Sequence, residues 1–295
     1  MIKSIIQLLR PHQYLKNTFI FLPLFFGLKI HHLDLLLACG VAFAAYSMIA
    51  SAVYIFNDYQ DREADRQHPR KKFRPLASGA VTTRQAAVLF GLLLMIGFGI
   101  SLTINLQLFG LLLFYFVLNL AYSAKLKHIA LIDVSIIASG FVLRLLAGHF
   151  ATGVELSMWI VMVTFLLALF LALAKRRDDV IIFLESGTKA RKVIDGYNLP
   201  LLDAAMVMMA TTTVVCYIMY TVSPEVVSRI GSDKLYLTTI FVIMSILRYM
   251  QITFVEKRSG SPTEILIHDR LFQAMLVAWL ATFGVIIYPG LRDAF

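Results

Sequence analysis

Asn57-Asp58-Tyr59-Gln60-Asp61-Arg62-Glu63-Ala64-Asp65-Arg66-Gln67-His68-Pro69-Arg70-Lys71-Lys72-Phe73-Arg74-Pro75 follows an uncharged apolar run, 35–56. A run of about 20 apolar residues can cross a hydrocarbon layer. The charged stretch behind it is therefore delivered to a membrane surface. If the helix continues to about residue 66, Asn57, Asp61 and Asp65 fall at i, i+4 and i+8 on one face. Asp58 lies about a quarter turn away. Three carboxylates and an amide gathered there repel one another unless a cation sits among them. Hard oxygen donors of this kind suit Mg2+, which keeps waters and bridges to substrate phosphates; Mn2+ is the alternative ion. The basic residues Arg66, His68, Arg70, Lys71, Lys72 and Arg74 come within ten positions. Cations beside a carboxylate–metal cluster suit a diphosphate, which needs partners for several oxygens. A solvated loop end accounts for single charges, but not for four oxygen ligands at helical spacing beside a basic run.

The same pattern extends outward. The chain has 295 residues, of which 59% are hydrophobic and only 15% charged. Its mean hydropathy is +0.77. A soluble domain is about a quarter charged. Nine apolar runs are candidate spans: roughly 17–33, 35–56, 85–104, 107–123, 131–149, 156–174, 201–222, 234–252 and 271–289. The first is the weakest, since Pro23 and Gly27 interrupt it. The pattern predicts an all-α polytopic bundle. It forms a single membrane-embedded domain over 1–295, with cytoplasmic cap segments at about 57–84, 175–200 and 253–270. Met1–Arg10 is short and amphipathic and lacks a cleavable signal pattern.

Nine spans place the termini on opposite sides. With the N-terminus in the cytoplasm, the inner segments carry 22 Lys and Arg and the outer segments 4. Cytoplasmic loops collect basic residues, so this split supports both the count and the orientation, in a bacterial inner membrane. The net charge of +9 then describes a basic inner face over anionic headgroups. Nucleic acid is excluded as a partner because the basic residues are divided among short loops. Cys39 and Cys216 lie in apolar spans and read as buried small hydrophobes, without disulfide or metal spacing.

Two further sets bear chemistry. Lys175-Arg176-Arg177-Asp178-Asp179 closes the sixth span; Lys175 and Asp179 share a helix face and can pair. Alone, such a cluster also serves as a topology anchor. Tyr122, Lys125 and Lys127 follow the fourth span and precede Asp133. Arg144 stands mid-span, where a charge costs at least about 2.5–3.5 kcal/mol on insertion scales. It is expected to face the bundle interior and meet a carboxylate or a phosphate.

Asn57-Asp58-x-x-Asp61-x-x-x-Asp65, with Arg66, Pro69 and Arg74-Pro75, resembles the first aspartate-rich motif of the UbiA superfamily of intramembrane prenyltransferases. The resemblance implies a nine-helix bundle and a diphosphate held through magnesium. Where most members carry a second D-x-x-x-D motif, this chain has Lys175-x-x-x-Asp179. The family's Tyr-x-x-x-Lys element is altered to Tyr122 with Lys125 and Lys127. One branch fits these departures. Arg10-Pro11-His12-Gln13-Tyr14-Leu15-Lys16-Asn17, Asp65 to Lys71, Leu131-Ile132-Asp133-Val134, Lys175-Arg176-Arg177 and Ser261-Pro262-Thr263-Glu264 are similar to the decaprenyl-phosphate phosphoribosyltransferases. That similarity implies a 5-phosphoribosyl diphosphate donor and a polyprenyl phosphate acceptor.

The charge balance agrees with that branch, since the reaction gathers three anionic groups. One metal–carboxylate cluster serves the diphosphate. The donor 5-phosphate and the lipid phosphate need cations, and a Lys in place of an Asp at 175 is a change in that direction. The expected ion ligands are Asn57, Asp58, Asp61 and Asp65, the three aspartates also acting in catalysis. The expected substrate contacts are Lys16, Arg66, His68, Lys71, Arg74, Tyr122, Lys125, Lys127, Arg144, Lys175, Arg176, Arg177 and Asp179. Segments 180–200 and 253–269 are expected to cap the site, Ser261 or Thr263 starting a short helix. A homo-oligomer is among the expectations. The rivals are prenyl transfer to an aromatic acceptor, which predicts two intact acidic motifs, and a lipid or ion transporter, which predicts internal repeats and broken midplane helices.

Overall fold

A computed structural model describes residues 2–68, 71–187, 192–256, 265 and 267–287, and in them the chain is all-helical. A short amphipathic helix α1 (Ile2–Leu9) leads into a 3₁₀ stretch, Pro11–Phe21, and a short helix α2 (Leu22–Phe26). Then come α3 (Leu33–Gln60), α4 (Arg62–Gln67), α5 (Thr83–Ile104), α6 (Leu106–Ala124) and α7 (Ile132–Thr152). The order continues with α8 (Met158–Ser186), α9 (Leu199–Val222), α10 (Pro224–Ile230), α11 (Thr239–Phe254) and α12 (Arg270–Ile287). Caps mark the starts: Thr82 and Gln85 form a capping box ahead of α5, and Asn105, Ser157 and Asn198 each accept an amide of the helix they open.

Among the described residues, eight helical segments are long and apolar enough to cross a membrane. Large apolar side chains on them point outward, among them Met95, Leu106 and Val277. An exposed apolar surface of that extent belongs in lipid, and the chain is an integral membrane protein with multiple spans. The run expected at 17–33 is not a continuous α-helix. Its residues 17–26 lie in the 3₁₀ stretch and α2, which Gly27 caps, and Leu28 takes a left-handed conformation (φ 57°).

Two boundaries also differ from expectation. The segment from 175 does not begin as a loop: α8 runs on to Ser186 and stops at Gly187, whose φ of 68° suits glycine. Twenty-nine residues at about 1.5 Å each exceed the hydrocarbon thickness, so the basic cluster rides on helix. The second span does not continue unbroken to 66. It ends at Gln60, Asp61 caps it, and α4 restarts at Arg62. Pro69, Arg70 and the Ser261–Glu264 motif lie outside the described residues.

The chain divides into two compact units, residues 1–127 with 139–156, and residues 128–138 with 157–295. Each has its own apolar core. In the first, Ile20, Leu24, Ile49, Leu108, Leu112 and Ala147 are buried together; in the second, Phe170, Leu173, Leu202, Met206 and Ile252. In the first unit α3 is lined on one face by Ser47, Ser51, Tyr54 and Asp58, spaced four, three and four apart. The N-terminal segment pairs along that face. Asn17 donates to Ser47 (2.8 Å), Tyr14 and Ser51 share a hydrogen bond (2.7 Å), and Arg10 covers the Tyr54 ring. Gly148 of α7 lets the Ile20 carbonyl approach so closely that an added Cβ would lie 2.0 Å from it.

Candidate functional site

In the first unit the aspartate motif sits at the α3–α4 junction. The break at Asp61 does not disturb its register. The Asp61 amide donates to the Asn57 carbonyl (2.9 Å) and the Asp65 amide to that of Asp61 (2.8 Å). Positions 57, 61 and 65 thus keep the i, i+4 relation predicted for them. Asp58 and Asp65 are 2% and 3% exposed, so their charge needs partners.

Those partners are cations. Arg10 Nη2 donates to Asp58 Oδ1 at 2.5 Å, and Arg74 Nη1 reaches the same oxygen at 3.2 Å and Asp65 Oδ2 at 2.7 Å. Two buried carboxylates therefore converge on one guanidinium nitrogen. Lys127 Nζ holds Asp61 Oδ1 at 2.8 Å, while Asn57 donates to Asp61 Oδ2 at 3.2 Å. As they stand, no three Asp, Glu, His or Cys side chains among the described residues are grouped to ligate one ion. The donor chemistry nonetheless fits a hard divalent cation, because the convergence point of Asp58 and Asp65 already holds a positive charge.

The other expected contacts of this unit divide. Arg66 turns to the Ala77 carbonyl (3.2 Å) and to Glu63 (2.9 Å), bracing the loop rather than joining the carboxylates. The hydrogen bond from Arg62 to Glu63, helped by Arg66, holds that carboxyl below its usual range. His68 Nδ1 accepts the Lys71 amide at 3.2 Å, which closes the turn. Lys16 and Lys125 are exposed and Tyr122 is half-buried. Arg144 is buried and meets neither a carboxylate nor open space. Its Nε donates to Asn17 Oδ1 (2.8 Å) and its Nη1 to the Gly140 carbonyl (2.7 Å). Its guanidinium lies 4.9 Å from the Tyr46 ring centre, 5.6 Å from Phe141 and 5.7 Å from Tyr115. Of the two partners expected for it, a carboxylate or a phosphate, the carboxylate is replaced by an amide, a carbonyl and three π faces.

The second unit has its own charged network. Arg176, 1% exposed, donates from Nε to Asp133 Oδ2 at 2.7 Å and from Nη1 to Asp179. Tyr197 donates to Asp133 Oδ1 at 2.5 Å and accepts the Leu131 amide at 2.7 Å. Leu131 takes a left-handed conformation (φ 67°) as the chain turns into α7. Burial, then the hydrogen bond to Asp133, push the Tyr197 phenol well above its ordinary pKa. Arg177 donates to Asp203 Oδ1 (2.6 Å) and to the Thr253 carbonyl (3.0 Å), and covers the Phe254 ring. Arg176 and Arg177 thus hold α7, α8, α9 and α11 together, and Lys175 beside them is exposed. Asp179 serves Arg176.

Sequence reasoning missed four roles: Arg10 on Asp58, Asp133 on Arg176, Tyr197 on Asp133, and Asp203 on Arg177. Asp133 had a signal, since an acidic residue in an apolar span seeks a basic partner. Arg10 stood in the Arg10–Asn17 motif but its partner did not show, and Tyr197 had no signal, because their contacts span 48 and 64 residues.

Known proteins bear on this arrangement. The sequence profile of the UbiA prenyltransferase family matches residues 19–276. The chain is 33% identical to the decaprenyl-phosphate phosphoribosyltransferase of Mycolicibacterium smegmatis, across 98% of this chain and 93% of that one. It is 31% identical to the protein of the same name from Mycobacterium tuberculosis, across 98% and 96%. In structure, a UbiA homolog from Archaeoglobus fulgidus bound to DMAPP and Mg2+ aligns with a TM-score of 0.71 at 21% identity, over 96% of this chain and 98% of that one. That likeness concerns the fold. Since the profile covers most of the chain and the relatives match it almost end to end, the chain belongs to the UbiA prenyltransferase family.

Proposed function

We propose that this chain transfers 5-phosphoribose from 5-phosphoribosyl diphosphate to a polyprenyl phosphate, giving polyprenyl-phosphoryl-5-phosphoribose and diphosphate. The observation that carries the reading is the identity of 31–33% to decaprenyl-phosphate phosphoribosyltransferases over nearly the whole chain. Lys175, where most of the family has an acidic residue, supports it.

We assign the donor diphosphate to the carboxylate–cation cluster of the first unit. Asn57, Asp58, Asp61 and Asp65 would hold Mg2+ there, with Mn2+ as a substitute. When bound, the ion would neutralise charge on the departing diphosphate. Arg10, Arg74 and Lys127 supply cations to the same oxygens. The bond from ribose C1 to the diphosphate oxygen breaks with its electron pair leaving on diphosphate, and a lipid phosphate oxygen forms the new bond to C1. That phosphate is already an anion at neutral pH, so no proton needs to be removed. Positioning and electrostatics supply the acceleration. Lys175 is assigned to a substrate phosphate.

The same reading gives nine crossings in one membrane-embedded domain, with the N-terminus and the charged ends of α3 and α8 on the cytoplasmic side. The ninth crossing is Pro11–Phe26. Eleven 3₁₀ residues at about 2.0 Å and five α residues at about 1.5 Å give about 30 Å, the hydrocarbon thickness.

The test is incubation of membranes carrying the chain with labelled 5-phosphoribosyl diphosphate and polyprenyl phosphate. Label is expected in the lipid extract, and Asp61→Ala should abolish it. Label that enters vesicles unchanged would overturn the reading in favour of transport. Transfer of a prenyl group to an aromatic acceptor, without phosphoribosyl transfer, would overturn it in favour of the wider family activity.

A further inference from the structure

The acidic motif is already neutralised by the protein itself. Asp58, Asp61 and Asp65 carry three negative charges, and Arg10, Arg74 and Lys127 return three positive ones at 2.5–3.2 Å. These pairings compete with both halves of the proposed chemistry. A carboxylate whose charge is met by a guanidinium attracts an ion less, and a guanidinium whose charge is met by a carboxylate attracts a phosphate less.

We propose that Arg10, Arg74 and Lys127 are exchangeable counter-ions: a divalent cation displaces them from the carboxylates, and the released side chains then bind the diphosphate. Metal and anion would load as a pair with positive coupling. The inference rests on the reading that this cluster takes a diphosphate with a divalent cation.

Burial decides the sign. The Asp58 and Asp65 side chains are 2% and 4% exposed, and those of Arg10, Arg74 and Lys127 are 20%, 27% and 15% exposed. An ion arriving alone would strand three partly buried cations, and an anion arriving alone would strand buried carboxylates. Either half-loaded state leaves uncompensated charge away from water, which is costly. Only joint loading pairs every group again.

Arg10 is the clearest member. It holds Asp58 from a left-handed backbone (φ 54°, ψ 56°), which a non-glycine residue adopts at a cost. It comes 48 residues before its partner and is no part of the acidic motif. Strain of this kind persists where the surroundings impose it, and it concentrates at functional sites.

The experiment is calorimetric titration of the full chain in detergent with MgCl2, with and without inorganic diphosphate. In the wild type, diphosphate should tighten Mg2+ binding by about 5–150-fold, the usual range of coupling between sites, and Mg2+ should tighten diphosphate binding equally. Arg10→Gln should bind Mg2+ alone more tightly than the wild type and bind diphosphate in the presence of Mg2+ more weakly. Lys127→Gln should show the same opposed signs and serves if Arg10→Gln does not fold. A merely structural role would weaken both. Absence of coupling in the wild type, or unchanged or weakened Mg2+ binding in the folded variants, would overturn the proposal. The transfer assay separates the two readings. Coupling without phosphoribosyl transfer would sink the proposed reaction and leave the exchange standing; transfer without coupling would do the reverse.

Discussion

Tyr197 donates its hydroxyl to Asp133 at 2.5 Å across 64 residues of sequence. The same oxygen accepts the Leu131 amide at 2.7 Å, so one side chain secures both the turn before α7 and the carboxylate in its first turn. Tyr197→Phe should cost about 1–3 kcal/mol, because it strands a buried acceptor and an amide. The pH dependence follows from the raised phenol pKa. A group raised above its unfolded value stabilises fully below that value, about 10 for tyrosine, and loses its contribution as pH climbs through the folded value. The gap between wild type and Tyr197→Phe should therefore stay flat from about pH 6 to 9 and narrow only at higher pH. Unfolding of the detergent-solubilised protein, monitored across pH, measures it.

Asp133→Asn keeps the shape and removes the charge. Arg176 would keep Asp179 but lose its buried carboxylate. The expected loss is about 3 kcal/mol, the low end for breaking a buried ion pair. The double variant Asp133→Asn/Arg176→Met should recover part of it in the same unfolding measurement, because it removes the stranded cation as well.

Arg144 should behave differently. No carboxylate depends on it, and its partners are an amide oxygen, a carbonyl and three rings. Arg144→Met is expected to cost about 1–3 kcal/mol, leaving the buried Asn17 amide oxygen without its donor, and to leave the KM for 5-phosphoribosyl diphosphate unchanged. A large rise in that KM with stability intact would make Arg144 a substrate ligand.

What could be read in the sequence was what is local. The spacing of Asn57, Asp61 and Asp65 survived a helix break, because two backbone hydrogen bonds carry the register across Asp61. The eight candidate spans among the described residues followed from apolar runs. The 3₁₀ stretch, Pro11–Phe21, did not, since the apolar run begins only at about 17 and its geometry depends on packing against α3. The partners of the basic residues were hidden for the same reason. Arg66, Arg176 and Arg177 look like phosphate ligands in a linear motif, yet each finds a carboxylate, and Arg66 and Arg177 also find a backbone carbonyl. The partners of Arg176 and Arg177 lie far along the chain: Asp133 is 43 residues from Arg176, and the Thr253 carbonyl 76 from Arg177.

Gly148 tests the packing of that 3₁₀ stretch. A Cβ on it would stand 2.0 Å from the Ile20 carbonyl oxygen, and a backbone atom cannot swing aside as a side chain can. Gly148→Ala should therefore cost about 1–3 kcal/mol or more through overpacking, visible as a lower unfolding midpoint. Gly110 offers the control, because nothing lies within 4 Å of its Cβ position. Gly110→Ala, in a helix facing no neighbour there, should be neutral or slightly stabilising.

Lys175→Asp would restore the acidic residue that most of the family carries at this point. Position 175 is exposed, at the charged end of α8, whereas its neighbours 176 and 177 are buried in ion pairs. The unfolding midpoint of the variant, measured beside its activity, separates a loss of binding from a loss of folding. If Lys175 holds a substrate phosphate, kcat/KM for phosphoribosyl transfer should fall by about 100-fold, a loss of about 2.7 kcal/mol. The loss should appear with the phosphorylated donor or acceptor against which Lys175 stands. Equal transfer by the two proteins would remove Lys175 from the site and leave its departure from the family pattern without a catalytic meaning.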